Sequence, residues 1–240
     1  MLMRAAASAL PAPGRFDPQI GQAPVFSRQC APASRFVRQS VRRCPASGQP
    51  GDETMREVRW ASLEGDGVEH LTFDRSGDGI VVESAVVGQR YGRGYGLAYR
   101  VECDPHWRVT RAVLKVMGGG TLELRGDGAG HWRDGAGLAL PELDGCIDID
   151  IAATPFTNSL PIGRLGLARG ERRPIDVVYI STPDLKVAPV RQAYTCIEPG
   201  RRYRYEGIFR DFTAEMDIDD DGLVVDYETL FRRLPAPTEG

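Results

Sequence analysis

The chain has 240 residues, 42% of them hydrophobic and 26% charged, with a net charge of −3, which suits a soluble globular protein of one large or two small domains. So balanced a charge lacks the concentrated basic surface that nucleic-acid phosphates require, and no apolar run approaches the roughly 18 residues of a membrane span. The five cysteines are odd in number, widely spaced and without a CxxC pair, so a reduced protein of the cytoplasm, with no zinc or redox centre, is expected.

Residues 1–54 contain seven prolines, few large apolar side chains and no periodic pattern. Such a segment cannot bury enough surface to offset the entropy of ordering, so it reads as a disordered extension. It carries seven Arg against Asp17, Asp52 and Glu53, a net +4 that leaves −7 for the rest of the chain. Its AAASAL opening is too short and too soon broken by Pro11 and Pro13 for a secretory signal core. Composition changes abruptly at Met55, which is therefore the expected start of translation and of a single domain over residues 55–234, with 235–240 as a tail.

From Val58 onward short alternating segments are punctuated by Gly, Asp and Pro, the pattern of an antiparallel all-β domain. Strands are expected over residues 68–75, 79–88, 94–103, 107–116, 121–126 and 130–135. Others follow at 145–152, 174–181, 190–196, 203–207 and 212–218. More than ten such strands rarely stay flat, so the sheet must curl or fold back to hide its apolar face. The fold class is thus all-β, one long antiparallel sheet that must curl, close or fold onto itself. Helix should be minor, with 227–233 as the best candidate.

The densest information lies in Leu143–Leu165, LDGCIDIDIAATPFTNSLPIGRL. Ile147, Ile149 and Ile151 alternate with Asp148 and Asp150, the signature of a half-buried strand. Pro155 and Pro161 then withhold backbone donors and predict a stiff polar loop carrying Thr157, Asn158, Ser159 and Arg164. Such loops at sheet ends commonly hold function.

Other motifs read more simply. Asp217–Glu228 satisfies the spacing of an EF-hand calcium loop, yet FTAEMDI before it reads as a strand, so an acidic hairpin turn is expected. Gly92-Arg-Gly94-Tyr-Gly96 lacks a following helix, and Gly118-Gly119-Gly120 lacks the Lys-Ser/Thr of a phosphate loop. His70, His106 and His131 are not spaced as metal ligands. No cofactor is implied. Asp148 and Asp150 sit roughly 7 Å apart along one strand face, within the range for paired-carboxylate hydrolysis. A hydrated or arginine-paired face explains them as well. Trp132 near a strand end, and Gln192 beside Tyr194 on one face of RQAYTC, suit core packing or recognition of a sugar or head group.

These stretches together resemble the DUF1089 family, which carries a glycolipid-binding label. The carrying residues are Trp60, Glu69, the Trp107–Arg111 segment, Gly130-His-Trp132 and Leu143-Asp-Gly-Cys146 with Asp148 and Asp150. Thr154–Pro161, Arg164-Leu165, Gln192 with Tyr194, and Asp219–Tyr227 complete the match, which spans about residues 56–234. The resemblance implies one strongly curved antiparallel sheet, a spiral β-roll or unclosed barrel shaped like lipid carriers, that holds a glycolipid or fatty-acyl ligand in its concavity without enzymatic activity. On that reading Trp132, Asn158, Arg164, Gln192 and Tyr194 meet the head, with Asp148 and Asp150 behind them orienting Arg164. The alternative is a hydrolase of a sugar or lipid conjugate using Asp148 and Asp150.

Overall fold

A computed structural model describes residues 55–76, 78–90, 92–207 and 212–236, so the expectation for residues 1–54 lies outside the described residues. Seven strands open the chain: β1 (Met55–Ser62), β2 (Val68–Ser76), β3 (Gly79–Arg90), β4 (Arg93–Cys103), β5 (Val109–Val116), β6 (Thr121–Gly126) and β7 (Trp132–Asp134). After a 3-10 turn at Pro141–Leu143 comes β8 (Asp148–Ile151), then a 3-10 turn at Phe156–Asn158 that runs into the helix α1 (Ser159–Leu165). The chain continues through β9 (Arg172–Ile180), β10 (Val187–Glu198), β11 (Arg202–Gly207), β12 (Phe212–Ile218), β13 (Val224–Tyr227) and β14 (Phe231–Arg233).

All of these strands form one sheet in the order β7-β6-β5-β4-β3-β2-β1-β14-β13-β12-β11-β10-β9-β8. Two meanders meet where β1 pairs antiparallel with β14. The alternation that predicted the strands is the one that builds the core. Leu71 and Phe73 of β2, Ile80, Val82 and Val86 of β3, and Leu97 and Val101 of β4 all turn inward. On β5 the inward set shifts from Val109 to Ala112 and Leu114, because a bulge opposite Glu102 and Cys103 absorbs one residue.

The sheet rolls until its two edges approach. Trp132 of β7 donates from Nε1 to the carbonyl of Cys146, just before β8, at 2.7 Å, and Gly145 N–H reaches the Gly130 carbonyl at 2.9 Å. No ladder joins β7 to β8. The expected unclosed roll is therefore present, with one addition: β8 pairs parallel with β9. A parallel pair needs a long crossover, and residues 152–171 supply it.

That crossover corrects two sequence expectations. The predicted stiff loop is a 3-10 turn and a helix, buried without interruption from Ala153 to Ile162. Pro161 is tolerated because it falls in the first turn of α1, where backbone N–H groups have no intrahelical acceptor anyway. Gly163 lets the helix lie against Trp107, whose ring would stand 2.6 Å from a Cβ placed there. Gly166 ends the helix at φ 55°, a left-handed cap that suits glycine. Secondly, β8 is buried on both faces, Asp148 included, since α1 and the 3-10 turn cover the side that alternation assigned to water.

The helix expected over 227–233 is instead the turn from β13 to β14. Local sequence there permits a helix, but Asp226 and Tyr227 find ladder partners in Arg232 and Phe231. The concavity expected to receive an acyl chain is occupied by the protein itself. Ala153, Phe156 and Leu160 from the crossover pack into one buried cluster with Leu71, Tyr99 and Leu114 of the sheet. A second cluster, around Ile162, Tyr194, Met216 and Tyr227, fills the other half.

Candidate functional site

The geometry places two polar constellations on the crossover segment. The first gathers at Glu69, an inward-facing carboxyl on β2 that is 2% exposed. Its Oε1 accepts hydrogen bonds from Tyr99 Oη at 2.5 Å, Ser84 Oγ at 2.7 Å and Thr154 Oγ1 at 2.9 Å. Strands β2, β3 and β4 are thereby tied to the loop after β8. Oε2 is equally buried, and none of the described residues donates to it. Burial pushes the Glu69 carboxyl up to about 7, against the opposing pull of its three hydroxyl donors. Burial likewise drives the Tyr99 phenol well above its ordinary value, helped by the adjacent Glu69, so this phenol stays protonated and donates.

Glu69 belongs to the wall of a cavity of about 420 Å³ at one end of the roll. Trp60, Val86, Arg90, Tyr95 and Phe231 line it together with the loop around Gly65. Arg90 Nη1 donates to the Ala152 carbonyl at 2.6 Å, pinning the crossover to β3, and Trp60 Nε1 donates to the Val224 carbonyl at 2.8 Å, pinning β1 to β13. The lining thus mixes aromatic and apolar side chains with the charged Glu69 and Arg90.

The second constellation holds most of the residues singled out from the sequence. Arg164 donates to Asp148 through Nε at 3.1 and 3.2 Å and through Nη2 at 2.6 Å, a two-pronged pair. Asp148 has no exposed side-chain surface and Arg164 only 15%. Burial pushes the Asp148 carboxyl up, while Arg164 pulls it back down. On the next inward position of the strand Asp150 accepts a hydrogen bond from Gln192 Nε2, with Thr157 Oγ1 at 3.5 Å. Tyr194 Oη donates to Asn158 Oδ1 at 2.8 Å, and Asn158 Nδ2 donates to the Pro155 carbonyl at 3.1 Å. Asn158, Gln192 and Tyr194, expected to face a ligand, are instead buried and hydrogen-bonded inside the protein, and Arg164 bonds Asp148 while Asp150 accepts from Gln192. They form a closed internal network joining β8, β10 and the crossover. Trp132 stands apart, buried at the seam between the roll's edges.

Removing the Tyr194 hydroxyl tests how far this network is structural. Tyr194→Phe leaves Asn158 without its donor and is expected to cost about 1–2 kcal/mol in urea unfolding. An unchanged midpoint would mean that the bond carries no net stability.

Glu69 was missed as a site residue, although the signal is visible. It shares the inward face of β2 with Leu71 and Phe73, and a carboxylate on a core face is an anomaly that asks for a reason. The Asp217–Glu228 motif is an acidic hairpin turn between β12 and β13. There Asp219 pairs with Arg56 and Arg233, and Asp221 with Arg56. Cys103, Cys146 and Cys196 are buried free thiols, and no described helix is long and apolar enough to cross a membrane.

An open, mostly antiparallel roll, plugged by its own crossover and keeping a cavity lined by polar and aromatic residues at one end, defines the all-β class of this chain. Within that class, the chain belongs to the family described as "Putative glycolipid-binding", whose sequence model it matches over residues 57–233. It is similar to a DUF1089 family protein from Pseudomonas aeruginosa of known crystal structure, with 43% identity and a TM-score of 0.64, over 70% of this chain and 92% of the other. No curated protein matches the chain.

Proposed function

We propose that this protein is a non-enzymatic binder of a glycolipid or similar amphiphile, with the head group in the pocket and the hydrocarbon part on its apolar rim. The observation that carries this reading is the juxtaposition of the two surfaces. Beside the cavity of about 420 Å³, on the outer face of the same strands, Val68 and Val87 are cross-strand partners exposed by 46% and 64%. Val87 in turn pairs with Gly96, and the Gly96 carbonyl accepts from the Met117 backbone N–H at 2.8 Å. Met117 is 77% exposed. Covering such side chains with an acyl chain yields about 0.8 kcal/mol per buried CH₂.

A binder is further supported by the fate of the paired carboxylates. Asp148 is held by Arg164 and Asp150 by Gln192, internal pairings that support the binding reading over the hydrolase alternative. The roll's interior is filled, so the hydrocarbon lies along the rim and not in a lumen. Native mass spectrometry of gently purified protein, offered a panel of glycolipids and phospholipids, tests the reading. A glycolipid adduct of one-to-one stoichiometry is expected. Repeated preparations that carry no adduct and bind no member of the panel would overturn it.

A further inference from the structure

We propose that Glu69 is the recognition group of the pocket, its Oε2 accepting a hydrogen bond from a hydroxyl of a neutral sugar head group. This rests on the binding reading above and adds the residue and the ligand chemistry. The geometry is unusual for a purely structural carboxyl. Three hydroxyls from β3, β4 and the crossover converge on Oε1, while the buried Oε2 finds no donor among the described residues. A buried acceptor left unpaired is costly. If the task were only to tie three strands to the crossover, a neutral glutamine would accept the same hydroxyls without the cost of a buried charge. Glu69 is also among the residues that line the cavity.

The neighbouring charges narrow the ligand further. Arg90 from β3 and Glu69 from β2 both act on the Tyr95 phenol of β4, so the two charges share one small space. A phosphate head would meet the Glu69 carboxylate, and an ammonium head would meet the Arg90 guanidinium. A neutral polyol meets neither penalty. Its hydroxyls satisfy the carboxylate, and its C–H faces lie against Tyr95 and Phe231.

A pH signature follows. The titratable and charged groups around Glu69 are Tyr95 and Tyr99 of β4, Arg90 of β3 and Glu64 of the loop before β2. Both phenols are displaced upward by burial and arginine stays charged, so Glu69, at about 7, is the group that titrates near neutrality. A ligand hydroxyl stabilises the carboxylate over the acid. Affinity therefore rises as the pH climbs through about 7 and levels above it.

The test uses the full chain and calorimetric titration with octyl glucoside, galactoside and mannoside below their micelle concentrations, with octyl tetraethylene glycol as the sugar-free control. At least one glycoside should bind more tightly than the glycol. Glu69→Gln presents an N–H₂ where the sugar needs an acceptor, so it should weaken that glycoside by about tenfold or more and abolish the rise with pH. Unchanged affinity in Glu69→Gln, or a wild-type affinity that is flat or falls from about pH 5.5 to about pH 8.5, would overturn the proposal. If glycosides and glycol bind alike, Glu69 recognition falls while amphiphile binding stands. If none binds at all, the binding reading falls with it. Should Glu69→Gln fail to fold, the wild-type pH profile decides alone.

Discussion

Arg164→Leu is expected to destabilise the protein by about 3–5 kcal/mol at neutral pH, because removing one member of a buried ion pair leaves the other charged and unpaired. Asp148 has no exposed side-chain surface and, among the described residues, accepts its side-chain bonds from Arg164. In the wild type, burial raises the Asp148 carboxyl and Arg164 partly restores it. Without the guanidinium only the raising influence remains. The mutant's deficit is then that of ionising a buried carboxyl, so it should be small in acid and grow as the pH rises past the raised value that the paired Asp148 carboxyl has in the wild type. Urea unfolding near neutrality and again in mild acid measures this. The double variant Asp148→Asn with Arg164→Leu should recover most of the loss, since no charge remains buried. A pH-independent deficit would show that Arg164 matters through packing alone.

The second large effect concerns stability and not binding. The Glu69 carboxyl sits at about 7 in the folded protein against an ordinary 4.5. A folded value raised above the unfolded one means that the contribution is fully present below about 4.5 and is lost as the pH rises to about 7. Ligand-free Glu69→Gln escapes that loss. Its stability relative to wild type should therefore shift in its favour by about 2–3 kcal/mol between mildly acidic and mildly alkaline solution. Taking the difference between the two proteins cancels the exposed carboxylates that titrate in both. If the difference stays constant with pH, Glu69 is not a buried titrating group. Together with the glycoside titration this separates what the carboxyl costs the fold from what it contributes to a ligand.

The β-sheet was legible because each strand carries its own evidence. Leu122 and Leu124 against Glu123 and Arg125, or Leu71 and Phe73 against His70 and Thr72, state a period of two without reference to anything distant. Turn residues between them set the meander. The crossover was illegible for the opposite reason. Two prolines in TPFTNSLP argue against a helix locally, yet α1 forms there because Pro161 falls in a first turn and Ser159–Ile162 find a buried surface on both sides. Gly163, mute in the sequence, is explained only by the Trp107 ring that lies on it. The site divides in the same way. Gln192 with Tyr194, and Asp148 with Arg164, lie close enough in pattern to be grouped in advance. Glu69 meets Thr154 across 85 positions of chain, and no local pattern reports such a meeting.

What the amino-acid sequence determined by itself is the all-β class, the boundaries of the eleven expected strands to within a few residues, the turn nature of the acidic Asp217–Glu228 motif and membership of the glycolipid-binding family. All of these depend on short-range periodicity or on residues matched one by one. What only the tertiary structure decided is where the roll's interior goes. As the sheet curls, the crossover after β8 packs against Leu71, Tyr99 and Leu114 and fills the concavity, draws Asp148 and Asp150 into an internal network, and leaves the cavity at the end of the roll beside Glu69. Packing, which is non-local, selected among alternatives that the local pattern left equal.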